Sequence, residues 1–297
     1  MDKSNWEQLL EAGKFTITAE IGPPMSADAE FVRNKVRAMK GKVDAVYITD
    51  NQTATVRMSS LAAGLIVAEE GIEPVVQMVC RDRNRIAIQS DLLGAHALGV
   101  RNLLVLSGDH QTFGNHPQAK NVYDVDSTQL IQSLTELQEN GTFMGGSACK
   151  APPRFFIGGA GHPFADPQEL QIMRMKKKID GGARFITTQS IYNIDKFKKW
   201  MELVRAQGLH ERTYIQAGIC VNKTLKSIQM TKLVAGMDIP DELVERMEKA
   251  EDREAEGVNI AVDLLREIMT VEGVSGIHIM AIGWEAIVPT IIERLEV

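Results

Sequence analysis

The stretch LGVRNLLVL, residues 98–106, ends a helical pattern with glycine and enters an apolar run within three residues. The same transition recurs in GGARFITTQ, residues 181–189, and in EGVSGIHIM, residues 272–280. Glycine suits the left-handed backbone that commonly ends a helix, and a short apolar run is typical of a buried strand. The chain therefore repeats a unit in which a helix leads into a strand.

Short apolar runs alternate with longer amphipathic segments along the whole chain, a pattern typical of a parallel sheet with crossover helices. The predicted strands are Phe15–Glu20, Val43–Thr49, Pro74–Val79, Asn102–Leu106, Arg154–Ile157, Arg184–Gln189, Thr213–Ile219 and Gly276–Ile282. The predicted helices are Ala29–Met39, Val56–Glu70, Arg83–Leu98, Ser127–Glu139, Pro167–Asp180, Ile194–Ala206, Lys223–Val234, Pro240–Met269 and Glu285–Leu295.

Eight such units in 297 residues predict an α/β protein with a closed (β/α)8 TIM barrel, because open doubly wound sheets usually have five or six strands. No Gly-x-Gly-x-x-Gly opens a helix after the first strand. We expect residues 1–297 to form a single domain. The acidic segment Met237–Glu256 is predicted to be an extra helical insertion before the last helix of the seventh unit.

Composition excludes several classes of partner. The net charge is −6 and the longest basic run is Lys176–Lys178, so the sequence does not predict nucleic-acid binding.

No apolar stretch is long enough to span a bilayer, and the amino terminus carries acids without a signal-peptide core, so we expect a cytoplasmic protein. The three cysteines form no Cys-x-x-Cys pair and the six histidines have no metal-site spacing, so no metal is expected.

Chemistry in such a barrel gathers where the strands end at their carboxyl termini. The sequence FTITAEIGPP, residues 15–24, places Glu20 at that point of the first strand, before a double proline that cannot continue a ladder. Polar residues also follow the other runs. They are Thr49, Asp50, Gln77, Asp109, His162, Gln189 and Gln216.

The connection after the fourth strand is unusually long and polar. Gly108 and Asp109 open it, and QTFGNHPQAKNVYDVDS, residues 111–127, leads to the next helix. Long loops in compact domains are commonly functional. We expect this loop to bind a ligand.

These motifs resemble the methylenetetrahydrofolate reductases, in their short bacterial form that consists of the catalytic barrel alone. The resemblance covers nearly the whole chain. It is carried, in order, by AEIGPP, SGDH, GGAGHPFAD, KKKIDGGARFITTQ, AGIC, GVNIAVDLLREI and GVSGIHIM.

The resemblance implies a flavin-dependent reduction of 5,10-methylenetetrahydrofolate to 5-methyltetrahydrofolate, with hydride passing from reduced flavin to the methylene carbon. Glu20 matches the general acid of the family, and Asp109 matches its second catalytic carboxylate, which hydrogen-bonds the pterin near the flavin. An apolar strand end favours the neutral form of a carboxyl group, which suits an acid. Gln189 and Leu225 match substrate-binding positions, although the family has an aromatic residue at the latter.

The same resemblance implies a flavin site. The matching residues are Thr49, Gly108, Asp109, Tyr123, Ala160, His162 and Lys178. FAD is favoured and FMN stays open. Four residues depart from the common pattern of the family, and they are Leu225, Gln77, Ser107 and Gln171. Because of these departures, the resemblance leaves two electron sources open, NADH or a partner redox subunit. We expect a homo-oligomer, or a hetero-oligomer with an iron–sulfur and zinc partner.

Two alternatives stay open at this point. A barrel lyase or aldolase could use Glu20, Asp109 and His162 around a metal, whereas a Schiff-base enzyme would need a lysine that the strand ends do not show. A non-catalytic barrel could serve as the scaffold subunit of a larger redox complex.

Overall fold

The barrel predicted from the sequence is present in the computed structural model, which describes residues 3–296. Eight parallel strands follow one another in chain order and close into a ring. They are β1 Thr16–Ile21, β2 Ala45–Ile48, β3 Pro74–Val79, β4 Asn102–Leu106, β5 Phe156–Gly161, β6 Phe185–Thr188, β7 Tyr214–Cys220 and β8 Val274–Met280.

The helices lie between the strands and cover the outside of the barrel. They are α1 Asn5–Glu11, α2 Ala29–Arg37, α3 Ser60–Glu69, α4 Arg85–Ala97, α5 Ser127–Asn140, α6 Gln168–Asp180, α7 Ile194–Ala206, α8 Leu225–Lys232, α9 Asp241–Lys249, α10 Arg253–Met269 and α11 Val288–Leu295. The predicted insertion, Met237–Glu256, contains α9, which precedes α10, the last helix of the seventh unit. The single helix predicted over Pro240–Met269 is divided into α9 and α10, because the backbone is extended at Ala250. Within residues 3–296, no helix is long and apolar enough to cross a membrane.

The ring closes where β1 pairs with both β2 and β8. Thr18 lies opposite Ala45 on β2 and opposite His278 on β8. Glu20 lies opposite Tyr47, one pair from the carboxyl end of β1. Because side chains alternate along a strand, Thr18 and Glu20 point to the same side of the sheet.

Strand β5 differs from its predicted bounds, Arg154–Ile157. It begins at Phe156 and continues through the glycine-rich run to Gly161, which pairs with Thr188 on β6. The glycines are needed for space, since a Cβ on Gly158 would lie 2.2 Å from the Phe185 ring. Because glycine is uncommon inside strands, the sequence of residues 158–161 does not predict a strand.

Helix α3 begins at Ser60, four residues later than the predicted start at Val56. The Ser59 side chain accepts a hydrogen bond from the Ala62 backbone N–H, which caps the first turn. Residues before this cap belong to a loop with left-handed backbone at Asn51, Thr53 and Ala54. The apolar pattern favours a helix from Val56, but the backbone N–H groups of Val56 and Arg57 donate to the Asn115 and Asn51 side chains in this loop.

Helix α1 was not predicted, and it closes the bottom of the barrel. Trp6 is fully buried there and makes edge contacts with the rings of Tyr47, Phe156 and Phe185. Glu7, on the same helix, pairs with both guanidinium nitrogens of Arg154 at 2.7 Å. Helix α1 has seven residues and one buried face, so its periodic pattern is too weak to predict the helix from the sequence.

We predict that Trp6→Ala lowers the free energy of unfolding by about 3–5 kcal/mol, because it leaves a large cavity among three aromatic rings. Trp6→Phe keeps an aromatic ring in that space and should cost less. Urea denaturation followed by circular dichroism measures both variants. An unfolding midpoint for Trp6→Ala equal to that of the unmodified protein would show that α1 does not close the barrel.

Candidate active site

A cavity of about 850 Å³ opens among the carboxyl ends of the strands. The structure brings most of the predicted site residues to its wall. These are Glu20, Thr49, Gly108, Asp109, Ala160, His162, Lys178 and Gln189. Residues in or directly after seven of the eight strands, together with residues from α5 and α6, therefore surround one space large enough for a cofactor and a substrate.

Glu20 lies deep in this cavity with 9% of its surface exposed. The side-chain amide of Gln77 donates to Glu20 Oε2 over 2.9 Å. His278 Nε2 lies 3.7 Å from the same oxygen. No residue between positions 3 and 296 hydrogen-bonds Glu20 Oε1, so that oxygen is available to a ligand.

Asp109 lies nearer the mouth of the cavity, on the loop that follows β4. Its Oδ2 accepts a hydrogen bond from the Thr53 backbone N–H at 3.1 Å. Its backbone carbonyl accepts from Arg81 Nη1 at 3.0 Å. The buried Arg81 also donates to the Asn51 carbonyl, so a single guanidinium ties the β2 and β4 loops together.

Three basic side chains, which we call the cationic wall, line the cavity beyond β5 and on α6; they are His162, Arg174 and Lys178. Lys178 Nζ, from α6, donates to the Ala160 carbonyl over 2.7 Å. Burial, followed by the charge of the nearby Arg174, lowers the pKa of Lys178 to about 8. The surrounding protein, followed by the charges of Lys178 and Arg174, lowers the pKa of His162 to about 4, so its ring is neutral at pH 7.

Thr49 and Gln189 also place polar groups at the cavity wall. Thr49 Oγ1 is buried and has no hydrogen-bond partner in the described part of the chain. A buried hydroxyl without a partner is costly, and a ligand in the cavity would satisfy it. Gln189 follows β6, where its backbone N–H donates to the Gly161 carbonyl at 2.9 Å and leaves the side chain at the cavity wall.

Two predicted site residues do not line this cavity. The Tyr123 hydroxyl donates to the Gly108 carbonyl at 3.2 Å, and its backbone is left-handed with φ of 40°. It therefore supports the loop that carries Gly108. Leu225 begins α8 and packs partly buried against the core. Its side chain lies outside the cavity wall.

His278 lines this site and is not among the residues that the sequence predicts for it. It lies within β8 and is 1% exposed. The sequence contains a signal for it, because side chains alternate along a strand: if Ile277 and Ile279 in GVSGIHIM face the helices, His278 points into the barrel. Arg81 and Arg174 also line the cavity without having been predicted.

Across residues 3–296, no group of three or more His, Cys, Asp or Glu side chains is arranged to hold a metal ion. Glu20, Asp109 and His162 line one cavity without forming such a cluster.

The fold and the cavity define the chain as a (β/α)8 barrel with a ligand site at the carboxyl ends of its strands. The family model described as methylenetetrahydrofolate reductase matches residues 5–296, and the chain belongs to that family.

Among its relatives, methylenetetrahydrofolate reductase 1 of Schizosaccharomyces pombe is 25% identical over 294 residues, which cover 95% of this chain and 46% of that protein. The 5,10-methylenetetrahydrofolate reductase of Pectobacterium carotovorum is 23% identical, with 90% of this chain and 85% of that protein covered. The chain thus spans less than half the length of the fungal and nematode relatives it matches.

A solved structure with the same fold comes from Clostridium thermocellum. It superposes with a TM-score of 0.71 at 14% identity and covers 98% of this chain and 99% of that one. It is described as an uncharacterized protein that binds two copies of 5-methyl-5,6,7,8-tetrahydrofolic acid. At this identity, the likeness concerns the fold.

We predict that Gly114→Ala loosens the loop that holds Asp109. A Cβ on Gly114 would lie 1.8 Å from the Ala54 carbonyl oxygen, so the two loops must separate. The cost should be about 1–3 kcal/mol of unfolding free energy, with faster proteolysis between residues 51 and 58. Gly145→Ala, where a Cβ meets nothing within 4 Å, is the matched control. Equal stability and equal cleavage of the two variants would contradict the prediction.

Proposed function

We propose that this chain reduces 5,10-methylenetetrahydrofolate to 5-methyltetrahydrofolate with a bound flavin. The observation that carries the proposal is the buried Glu20 carboxyl group, which is held through one oxygen and has the other free, in a cavity that also contains Asp109 and a cationic wall. The names of the bacterial relatives and the folate bound by the structural neighbour support the same substrate.

Glu20 supplies the proton in this proposal. The five-membered ring of the substrate must open to an iminium ion, and the nitrogen that leaves the methylene carbon needs a proton as the C–N bond breaks. Glu20 Oε1 donates it. Gln77 keeps the carboxyl group in place through Oε2 while the proton moves from Oε1.

Asp109 and Gln189 position the substrate. Asp109 Oδ1 accepts no hydrogen bond from the described residues, and a carboxylate oxygen there can accept from the N–H groups of a pterin. The Gln189 amide offers both a donor and an acceptor. Leu225 is proposed as an apolar contact for the substrate, which requires α8 to move toward the cavity, because its side chain packs on the core.

The cavity wall fits a flavin. Lys178 keeps N–H groups beyond the one bonded to Ala160, and with His162 and Arg174 it would hold phosphate oxygens. The unpartnered Thr49 hydroxyl would donate to the ring or ribityl oxygens. Gly108 has left-handed backbone that lets the chain pass close to a ring, with Tyr123 supporting it. When bound, the flavin supplies the hydride for the methylene carbon.

The finer assignments belong to the same proposal. We favour FAD over FMN because the cationic wall presents more than one group to phosphate. The electron source is NADH or a partner redox subunit, and the assembly is a homo-oligomer or includes an iron–sulfur and zinc partner. We place the protein in the cytoplasm, with residues 1–297 as one flavin-binding domain.

A Schiff-base aldolase is the second candidate. Lys178 favours it, because a buried amine with a pKa lowered to about 8 is partly neutral near physiological pH and can attack a carbonyl. At pH 7, below that pKa, the group is mainly an ammonium ion, which does not attack a carbonyl. Flavin absorbance in the purified protein supports the reductase, and a colourless protein after incubation with FAD and FMN supports the aldolase.

We predict that Glu20→Gln lowers the rate of 5-methyltetrahydrofolate formation by about 10²–10⁴-fold, because an amide cannot donate the proton for ring opening. Chromatographic detection of the product after mixing reduced enzyme with 5,10-methylenetetrahydrofolate measures this rate. Glu272→Gln, at a side chain that is 82% exposed, is the control and should be unaffected. Activity of Glu20→Gln within a few-fold of the unmodified enzyme would refute the assignment of the acid.

We predict that flavin affinity falls as pH rises through about 8. Lys178 is charged below its lowered pKa and neutral above it, so its attraction for phosphate is present at pH 7 and lost in alkali. Fluorescence titration of the apoprotein with FAD measures the dissociation constant at each pH. Lys178→Met should bind FAD weakly at every pH, whereas Lys176→Met, in the same basic run but paired with Asp180, should resemble the unmodified protein. A dissociation constant independent of pH would contradict this role.

A further inference from the structure

The loops that follow β2 and β4 contact each other at the cavity, and Arg81 lies between them. Arg81 is 2% exposed. Its Nη1 donates to the Asp109 carbonyl over 3.0 Å, and its Nη2 donates to the Asn51 carbonyl over 3.2 Å. Because a guanidinium is a planar group with a fixed fork of donors, it holds these two carbonyls at a set separation.

The charge of Arg81 is already paired within the protein. Its Nε and Nη2 donate to the two carboxylate oxygens of Asp82 at 2.7 and 2.6 Å. The side-chain amide of Asn51 donates to the same carboxylate over 3.2 Å. Four of the five N–H groups of the guanidinium therefore have protein partners, and a bidentate carboxylate neutralises its charge. Little of this side chain is left to bind an anion in the cavity.

The orientation of the Asp109 carboxylate depends on the β2 loop. Asp109 Oδ2 accepts from the Thr53 backbone N–H over 3.1 Å. Thr53 and Asn51 both have left-handed backbone, with φ of 54° and 46°. This conformation is uncommon in residues other than glycine, and surrounding contacts must hold it. The N–H that orients Asp109 thus belongs to a strained loop, and Arg81 holds that loop at the Asn51 carbonyl.

The far end of the β4 loop returns to the same segment of the chain. The Val122 backbone N–H donates to the Arg81 carbonyl over 2.8 Å, and the Tyr123 N–H donates to the Cys80 carbonyl over 3.2 Å. The Tyr123 hydroxyl then donates to the Gly108 carbonyl at the near end of the loop. The backbone and the side chain of Arg81 therefore hold opposite ends of the β4 loop.

From these contacts we infer that Arg81 is a positioning residue for the reaction, which rests on the proposed role of Asp109 in orienting the pterin. One guanidinium fixes both partners of the hydrogen bond from Thr53 to Asp109. It holds the loop of the donor at the Asn51 carbonyl, and it holds the acceptor residue at its own carbonyl. With Oδ2 fixed in this way, Oδ1 presents its lone pairs to the substrate in one direction. A misplacement of about 1 Å in such a group can cost about a hundredfold in rate.

The test is a double-mutant cycle on the folate half-reaction. Enzyme loaded with FAD and reduced in advance is mixed with 5,10-methylenetetrahydrofolate, and the rate of flavin reoxidation is measured. Arg81→Lys keeps the positive charge but loses the fork, and should lower this rate about tenfold. In an Asp109→Ala background the same substitution should change the rate by less than about twofold, because the group through which Arg81 acts is gone. A purely structural loss would lower the rate by the same factor in both backgrounds.

A second variant, Asp82→Asn, guards against an Arg81→Lys protein that does not fold. Asp82 is exposed and lies outside the cavity wall, and its substitution weakens the bidentate bond that holds the guanidinium. It should slow the reaction in the unmodified background and not in Asp109→Ala. Arg85→Lys is the matched control and should leave the rate unchanged, because Arg85 pairs in the same bidentate way with Asp124 outside the cavity.

Hydrogen exchange provides a readout without turnover. The Thr53 amide should exchange about tenfold faster or more in Arg81→Lys, and at the unmodified rate in Arg85→Lys. The inference is overturned by an unchanged Thr53 exchange rate, by an Arg81→Lys enzyme with the unmodified reoxidation rate, or by equal losses of rate in the two backgrounds, while Asp109→Ala itself stays slow. Absence of reoxidation in the unmodified enzyme, or an Asp109→Ala enzyme as fast as the unmodified one, overturns the proposed function and this inference with it.

Discussion

The proposed chemistry depends on one hydrogen bond, from the Gln77 amide to Glu20 Oε2. A buried carboxyl group is stable only when its oxygens have partners, and here the barrel supplies a partner to one oxygen alone. The other oxygen is left for a ligand. The closed ring makes this possible, because the register of β1 against β2 and β8 sets the height at which Glu20 enters the cavity.

The cavity wall carries both acidic and basic side chains, which include Glu20, Asp50, Asp109, Asp126, Arg81, Arg174 and Lys178. The surrounding protein lowers the pKa values of Lys178 and His162, so an anionic ligand beside them would stabilise their charged forms on binding. Such a mixed wall suits the two ligands of the proposed reaction, one with phosphates and one with a pterin.

The sequence was sufficient for the barrel and for part of the site. The repeated helix-to-strand transitions predict the strands. Polar residues at the ends of the apolar runs are expected at the cavity, and Glu20, Asp109 and Gln189 do line it. It was not sufficient where tertiary contacts override local pattern. Glycines in β5 make room for Phe185, and α1 is stable because Trp6 is surrounded by rings from three strands. The resemblance also implied Leu225 and Tyr123 as site residues, yet their side chains pack on protein.

The central claim is that Glu20 carries the transferable proton in the shared cavity. Infrared difference spectroscopy of the flavin-loaded protein, with and without 5-methyltetrahydrofolate, detects the stretching band of a protonated carboxyl group directly. The account predicts a band that is present in the unmodified protein, retained in Asp109→Asn and absent from Glu20→Gln. A band that persists in Glu20→Gln would contradict it.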